Sequence, residues 1–243
     1  TGKAEITFLP ELKLKSTFTL DRDYNNTTNF LDPIKTSWGR NQYGEGYDGR
    51  SLSTILVFDN ILTYNKSIKK HNFDVMVGSS WTGSKWSQSY INGSHYMNGD
   101  IQTLNAANKI SWNGTGTSAS EWAIMSFVGR LAYNYDSKYL LTVNMRSDGS
   151  SKLHPDHRWG TFPSVSAAWR ISSEEFMKDY SWINDLKLRG GWGQTGNQSG
   201  LGDYAYLLRY NINRVQWWEE GNEHAVPTIT QANLRTKDLT WET

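Results

Sequence analysis

Two short motifs have residue types and spacings that could bind a ligand, but each lacks the neighbours that its chemistry needs. Residues 191–196 fit the G-x-G-x-x-G pattern of a dinucleotide site, which requires a helix directly after it. Residues 197–200 are Asn, Gln, Ser and Gly and show no helical pattern, so we interpret the motif as a strand that runs into a loop. His154 and His157 could ligate a metal, but the sequence indicates no third ligand, and a polar turn is the simpler interpretation.

A third motif has the spacing of a calcium loop. Asp21, Asp23 and Asn25 alternate as such ligands do, but Asn26 stands where an EF-hand has glycine, and Asp32 where it has glutamate. Nothing resembles a nucleophile elbow, and the carboxylates form no recognisable catalytic pair. The sequence therefore predicts a protein that is not an enzyme, with no catalytic residue, metal or cofactor.

The composition narrows the class of protein. The 243 residues include 12 Trp, 13 Tyr and no Cys, and the net charge is +1. A balanced charge argues against a dedicated nucleic-acid binder, which would have a basic face. The mean hydropathy is −0.65, and no apolar run approaches the ~18–20 residues of a membrane helix. The first residues show no signal peptide, which indicates either a protein that is not exported or an internal piece of a larger one.

The elements that position these residues are strands, and the clearest pair lies within residues 139–170. In its first run, Tyr139, Leu141, Val143 and Met145 fall on one face, and the second run alternates in the same way. Alternation with period two is typical of a strand with one apolar and one polar face. The stretch therefore predicts an antiparallel hairpin with a long polar loop.

Short and long connections alternate along the whole chain. The predicted short connections lie near residue 10 and at residues 65–70, 134–138 and 172–185. The predicted long connections are residues 22–50, 81–120, 147–159 and 195–237. In an up-and-down sheet, alternate connections lie at opposite ends, so one end would carry only turns and the other all the large loops. Bacterial transmembrane barrels have this asymmetry, with short periplasmic turns and longer external loops.

Aromatic residues cluster near the predicted strand ends. Those near the short turns are Tyr64, Tyr133, Tyr135, Tyr139, Phe176 and Trp182, and those near a long loop are Trp159 and Phe162. Tyr and Trp collect at membrane interfaces, because an apolar ring with a polar tip suits that depth. Ordinary aromatic packing at strand ends is the alternative.

Several segments carry a family resemblance. Residues 133–136, 138–141, 148–151 and 158–171 strongly resemble the SusC/RagA family of TonB-dependent outer-membrane transporters, with support from residues 175–177, 186–189, 195–198 and 238–243. The matches are dense from about residue 126 to residue 198. The chain departs from the family pattern at Ser147, where a second charged residue is usual, and at residues 190–192.

The resemblance implies a fold and a set of partners. It implies a 22-stranded antiparallel up-and-down barrel plugged by an N-terminal domain, which imports nutrients such as oligosaccharides or peptides with energy from TonB. It also implies a SusD-like surface lipoprotein as a lid, outer-membrane lipid around the barrel, and the outer membrane of a Gram-negative, Bacteroidetes-like bacterium. Residues 1–243 would be the middle part of this barrel domain, about eight strands, without the plug or the TonB box.

Four arginines fall on the strand faces opposite the apolar stripe. They are Arg130, Arg146, Arg170 and Arg189. On a barrel they would point into the lumen, because arginine on the lipid side costs ~2–4 kcal/mol at mid-depth. They could guide an anionic substrate, or pair with carboxylates of the plug or of the lumen wall.

Six aromatic residues in the predicted external loops are weaker candidates for substrate contact. They are Trp81, Trp86, Tyr90, Trp112, Trp217 and Trp218. They could stack on sugar rings or peptide side chains, pack the loops together or contact the lid protein.

Two other functions remain open at this point. One is a passive porin or adhesion barrel, which a plug and a TonB box would exclude. The other is a soluble all-β carbohydrate-binding module that uses exposed Trp.

Overall fold

The computed structural model describes residues 1–111, 114–180, 182–217, 226–234, 236 and 238–242. The strands are β1 Gly2–Leu9, β2 Leu12–Leu31, β3 Glu45–Ile68, β4 His71–Ser94, β5 Lys109–Ile110, β6 Gly116–Tyr135, β7 Tyr139–Ser150, β8 Trp159–Arg170, β9 Lys187–Gly193, β10 Tyr210–Trp217 and β11 Val226–Gln231. The helical elements are α1 Ser37–Gln42 and the 3-10 helices Leu104–Ala106, Pro155–His157, Ile171–Ser173 and Glu175–Met177. No helix in the described part of the chain has the length and apolar character to cross a membrane.

One sheet contains nine of these strands. Its order is β1-β2-β3-β4-β6-β7-β8-β9, with β5 paired to the end of β4, and β10 and β11 form a separate hairpin. The pairs β6–β7, β7–β8 and β8–β9 are antiparallel. Neighbours in the sheet are therefore neighbours in sequence, and the predicted all-β, antiparallel up-and-down fold is confirmed.

The hairpin predicted within residues 139–170 is formed by β7 and β8. Tyr139 pairs with Trp169 and Val143 with Val165, so the apolar residues of both strands share one face. That face stays exposed along its whole length: Leu141, Val143 and Met145 are 40%, 41% and 59% exposed. A water-soluble sheet would cover such a continuous apolar face, whereas lipid is its natural neighbour.

The connection between β6 and β7 has three residues between the paired Tyr135 and Tyr139, and the N–H of Lys138 donates to Tyr135 O at 2.9 Å to close a β-turn. Asp136 and Ser137 are its two central residues, with φ of 51° and 58°. Left-handed conformations at both central positions match the right-handed twist of the paired strands. Residues 134–138 therefore form the tight turn that the sequence predicts.

Two predicted long loops are wrong in extent. β2 runs to Leu31 and β3 begins at Glu45, so only residues 32–44 of the predicted loop 22–50 lie outside the strands. β4 likewise runs to Ser94 and β6 begins at Gly116 within the predicted loop 81–120. These strand ends were predicted as loop because they are rich in Asn, Ser, Thr and Gly on both faces. Strands can pair through their backbones without an apolar face, so the alternation that identifies a strand is absent here. β3 and β4 have 24 residues each, far more than the ~9–11 that cross a bilayer.

The C-terminal part also differs from prediction. The predicted loop 195–237 contains the hairpin of β10 and β11. Near the C-terminus, Glu242 forms an isolated bridge to Asn197, and Thr243 lies outside the described residues. The predicted short connection 172–185 begins with two 3-10 helices, Ile171–Ser173 and Glu175–Met177.

The chain divides into two compact units. The first comprises residues 1, 18–57 and 82–122, and the second comprises residues 2–17, 58–81 and 123–243. In the first unit, Tyr96 is buried with its ring 5.0 Å from that of Phe30. In the second, Leu153 and Phe162 are buried.

Candidate functional site

The polar face of β6 to β8 carries an ordered arginine. Arg146 and Asp148 lie two residues apart on β7, so both side chains are on the same face. The Nε of Arg146 donates to both carboxylate oxygens of Asp148, at 2.8 and 2.7 Å, and a terminal nitrogen donates to Ser126 Oγ at 3.1 Å. Asp148 and Ser126 are buried, so the guanidinium is held from two sides.

Two more of the predicted arginines pair with acids of the chain itself. Arg130 on β6 contacts Asp74 on β4 at 2.7 Å, and Arg170 at the end of β8 contacts Asp185 at 3.0 Å. Each pair joins opposite charges on the second unit. Three of the four arginines therefore pair with an acid of this chain, which is one of the alternatives named for them.

Arg189 is the exception. It lies on β9, is exposed and forms no ion pair with another described residue. In the register of the sheet it stands opposite Ala168. Its guanidinium therefore remains available to a group beyond the described residues, and its role stays a prediction.

Three of the six predicted loop aromatic residues, Trp81, Trp86 and Tyr90, have described side chains, and these three make no ring contact with one another. Trp81 and Trp86 are exposed, whereas the ring of Tyr90 stacks 6.3 Å from that of Tyr47. Trp112, Trp218 and the side chain of Trp217 lie outside the described residues. Substrate contact by these six residues therefore stays a prediction, and the stacking of Tyr90 agrees with packing, the alternative for these residues.

The motifs considered for metal or nucleotide binding have structural explanations. His154 accepts a hydrogen bond from the backbone N–H of Asp156 and lies beside the ring of Tyr206. No group of three or more His, Cys, Asp or Glu side chains in the described chain could hold a metal ion. The calcium-like motif is part of β2, and the glycine motif begins in β9, which ends at Gly193 without a helix directly after it.

The connection between β7 and β8, which lies inside the region of dense family resemblance, folds as a packed loop. Ser151 exchanges two hydrogen bonds with the backbone of Ala123, through its N–H at 2.9 Å and its Oγ at 2.8 Å. Lys152 donates to Leu201 O and contacts Asp203, each at 3.1 Å. These contacts link distant parts of the sequence, and the sequence alone did not indicate them.

At the short-turn end, one carboxylate collects three donors. Glu174 accepts hydrogen bonds from Trp169 Nε1 at 3.0 Å, from Tyr139 Oη at 2.7 Å and from Lys138 Nζ at 3.0 Å. These hydrogen bonds, with that from Trp169 the strongest, lower the pKa of Glu174 from 4.5 to about 2. The carboxylate thus fixes Tyr139, which the sequence predicts near a membrane interface, together with Trp169, its partner across the sheet.

Neighbouring short turns are joined to one another at two described places. We call these contacts, between Lys70 and Asp136 and between Glu11 and residues 65–66, the turn rim. Asp136 donates its N–H to Lys70 O at 2.8 Å, and its carboxylate contacts Lys70 Nζ at 2.7 Å. Glu11 likewise accepts the N–H of Asn65 on its backbone oxygen, at 2.9 Å, and Lys66 Nζ on its carboxylate, at 2.6 Å. Each connection therefore combines one backbone hydrogen bond with one ion pair.

The curated proteins that this chain resembles are TonB-dependent receptors. No protein-family model matches the chain. The chain is 35% identical to the TonB-dependent receptor SusC of Bacteroides thetaiotaomicron over 85% of its length, and 36% identical to the TonB-dependent receptor P39 of Formosa agariphila over 76%. These alignments cover 20% and 17% of the two relatives. The chain thus spans about a fifth of the length of the curated relatives that it matches.

Solved structures show the same fold. The RagAB peptide transporter matches 98% of this chain with a TM-score of 0.82 and 22% identity, over 26% of the transporter chain. The RagAB peptide importer in the 'open-open' state matches 99% with a TM-score of 0.80. The long strands and their order are therefore those of a known transporter fold.

The sheet, its exposed apolar face and the solved structures define the class of fold, an antiparallel sheet that matches part of a transporter chain. Within this class, the chain belongs to the SusC/RagA-type TonB-dependent transporters, as residues 133–171 indicated. The named relatives are receptors and transporters, in agreement with a protein that is not an enzyme.

Proposed function

We propose that this chain forms part of the barrel wall of a TonB-dependent importer of large nutrients, oligosaccharides or peptides. The observation that carries the proposal is the two-sided sheet of β6 to β9. One face exposes Leu141, Val143 and Met145, as a lipid-facing wall requires. The other face carries Arg146 with Asp148 and Ser126, as a water-filled passage allows.

The chain would act as a wall and would catalyse no reaction. Because Arg130, Arg146 and Arg170 are each paired with an acid, most of the arginine charge on the polar face is locally balanced. Such a surface offers hydrogen bonds without a strong field of one sign, which suits polar solutes of low charge. Arg189 is the position where an anionic group could be held.

The proposed partners follow from the two faces and the two ends. Outer-membrane lipid would cover the apolar face, in a Gram-negative bacterium related to the sources of the named relatives. Residues 1–243 would belong to one barrel domain, and TonB would act through a plug and TonB box elsewhere in the polypeptide. A SusD-like surface lipoprotein would cover the end that carries the long connections, including the exposed Trp86.

A growth experiment tests the proposal. A strain that lacks the full protein is grown on oligosaccharides and on peptides as sole nutrients, with and without the gene restored, and again without TonB. We expect restored growth on one of these nutrients only when TonB is present. Uptake that continues unchanged without TonB would contradict the importer and support a passive porin.

Purification provides a second, independent test. The full protein should require detergent and should co-purify with a surface lipoprotein. A species that stays soluble without detergent would instead favour a carbohydrate-binding module.

A further inference from the structure

A pocket of about 420 Å³ lies on the polar face of β7, β8 and β9, near the short-turn end. Thr142, Ser166 and Gly191 stand side by side across the three strands and line it. Thr142 is three residues from Tyr139, the first residue of β7. At ~3.3 Å per residue and a strand tilt of ~40°, the pocket lies within about 8 Å of the turn end.

The side chains that line this pocket share one face of the sheet. In the row next to Thr142, Leu140 pairs with Ala168, and Ala168 pairs with Arg189. Lys187 lies two residues from Arg189 on β9, so its side chain is on the same face. The exposed apolar stripe lies on the opposite face. The pocket is therefore a depression in the polar wall alone.

Among the described residues, two cations and no acid line the pocket. Lys187 and Arg189 are exposed, and neither forms an ion pair or a side-chain hydrogen bond with another described residue. Asp185, two residues before Lys187, is already bound by Arg170 Nε at 3.0 Å and by Ser172 Oγ at 3.2 Å. Like charges on successive positions of one strand face repel each other, and an anion between them would remove this repulsion.

Two hydroxyls complete the set of donors. Thr142 and Ser166 line the pocket, and their side chains have no hydrogen-bond partner in the described part of the chain. A hydroxyl can donate its hydrogen to an anion and still accept a hydrogen bond from water. A Cβ on Gly191 would lie 3.1 Å from Ser166 Cβ and 3.2 Å from Val165 O, so glycine leaves the space beside this hydroxyl open.

This set of donors fits a carboxylate. A guanidinium presents parallel N–H groups that match the two oxygens of a carboxylate, and an ammonium adds a compact positive charge. The described lining has no carboxylate of its own to occupy these donors. A carboxylate is also the anionic group that both another part of a polypeptide and an organic solute can carry.

We propose that this pocket is a carboxylate-binding site. Arg189 binds the two oxygens, Lys187 supplies the second positive charge, and the hydroxyls of Thr142 and Ser166 donate from the neighbouring strands. The location of the site inside a transport passage rests on the proposed import function, whereas the pocket and its donors do not depend on it.

The test identifies the group that Lys187 contacts in the full protein, purified in detergent and treated with a water-soluble carbodiimide. This reagent joins a lysine amine to a carboxylate that touches it and takes up the water that is lost. The treatment is carried out with and without isotope-labelled succinate, and the linked peptides are identified by mass spectrometry. Lys13 and Lys15 serve as internal controls, because they are exposed, alternate with apolar residues on β2 and lie outside the pocket.

We expect Lys187 to be coupled about ten-fold more than either control lysine, since a charge-assisted hydrogen bond corresponds to at least this factor in occupancy. Arg189→Gln should reduce the coupling of Lys187 about ten-fold for the same reason, and the control variant Lys15→Gln should leave it unchanged. A link to a distant carboxylate of the same polypeptide would identify an internal ligand, and a link to labelled succinate would identify a site for solutes.

Three results would overturn the inference: a link from Lys187 to Asp185, coupling of Lys187 no greater than that of the control lysines, or equal losses in Arg189→Gln and Lys15→Gln. TonB-dependent growth of the unaltered strain is measured in parallel. Growth that requires TonB, together with an uncoupled Lys187, refutes the carboxylate site alone. Growth independent of TonB, together with selective coupling of Lys187, refutes the importer and leaves the site in place.

Discussion

Replacement of Val143 by Arg tests which face of the sheet meets lipid. Val143 lies four residues from Tyr139, the first residue of β7, and pairs with Leu131 and Val165 on its two sides. At about 3.3 Å per residue and a strand tilt of about 40°, it lies about 10 Å from the turn end. That depth is near the middle of an apolar band about 25 Å tall.

An arginine at this depth should cost about 2–4 kcal/mol of folding free energy if the face meets lipid. This corresponds to roughly a 30- to 700-fold change in the folding equilibrium. The matched control is Thr142→Arg, one residue away on the opposite face, opposite Ser166. There an arginine would point into water and should cost far less.

The assay is reversible unfolding of the full protein in lipid vesicles by guanidinium chloride, followed by Trp fluorescence and by heat-modifiable migration on gels. Equal losses for the two variants would show that both faces meet similar surroundings. A larger loss for Thr142→Arg would mean that the faces are assigned the wrong way round, and the lumen positions of the arginines would then be wrong as well.

Three further predictions concern particular contacts. Leu153→Ala should lower the free energy of unfolding by about 2–5 kcal/mol, because the side chain is fully buried; a loss below 0.5 kcal/mol in the same unfolding assay would show that the loop is not packed in solution. The lowered pKa of Glu174 means that the stabilising contribution of its carboxylate is fully present above about pH 4.5 and is lost as the pH falls through about 2. The free energy of unfolding, measured across this pH range, should therefore depend less on pH in Glu174→Gln than in the unaltered protein. An unchanged pH profile would argue against the three hydrogen bonds. Gly46→Ala would place a Cβ in steric conflict with Tyr96 Oη and should cost about 1–3 kcal/mol through displacement of the ring. Proteolysis of the 95–108 segment should accelerate, and a rate equal to that of the unaltered protein would show that the ring moves at no cost.

The sequence was most informative where one face is apolar. The alternation around Val143 predicted β7, β8 and their common face, because a shift by one residue would move every apolar side chain to the other face. It also placed Arg146 opposite that face. The partner of Arg146 could have been suggested as well, because Asp148 lies two residues further along the same strand.

The sequence was least informative where pairing is purely polar. The ends of β2 and β3 extend through segments interpreted as loop, because hydrogen bonds between backbones leave no periodic signal in polar side chains. The contacts of Glu174 with Tyr139 and Lys138 join residues more than 30 positions apart.

Under the proposed TonB-powered import, the turn rim has a mechanical consequence. Two adjacent turns can separate only if a backbone hydrogen bond and an ion pair break together, as with Asp136 and Lys70. A force on one turn is therefore carried by two interactions at each connection, and it is transmitted to the neighbouring turns. In the proposed barrel, turns linked in this way would stiffen the wall at this end, so that a force applied inside would move the contents and leave the wall in place.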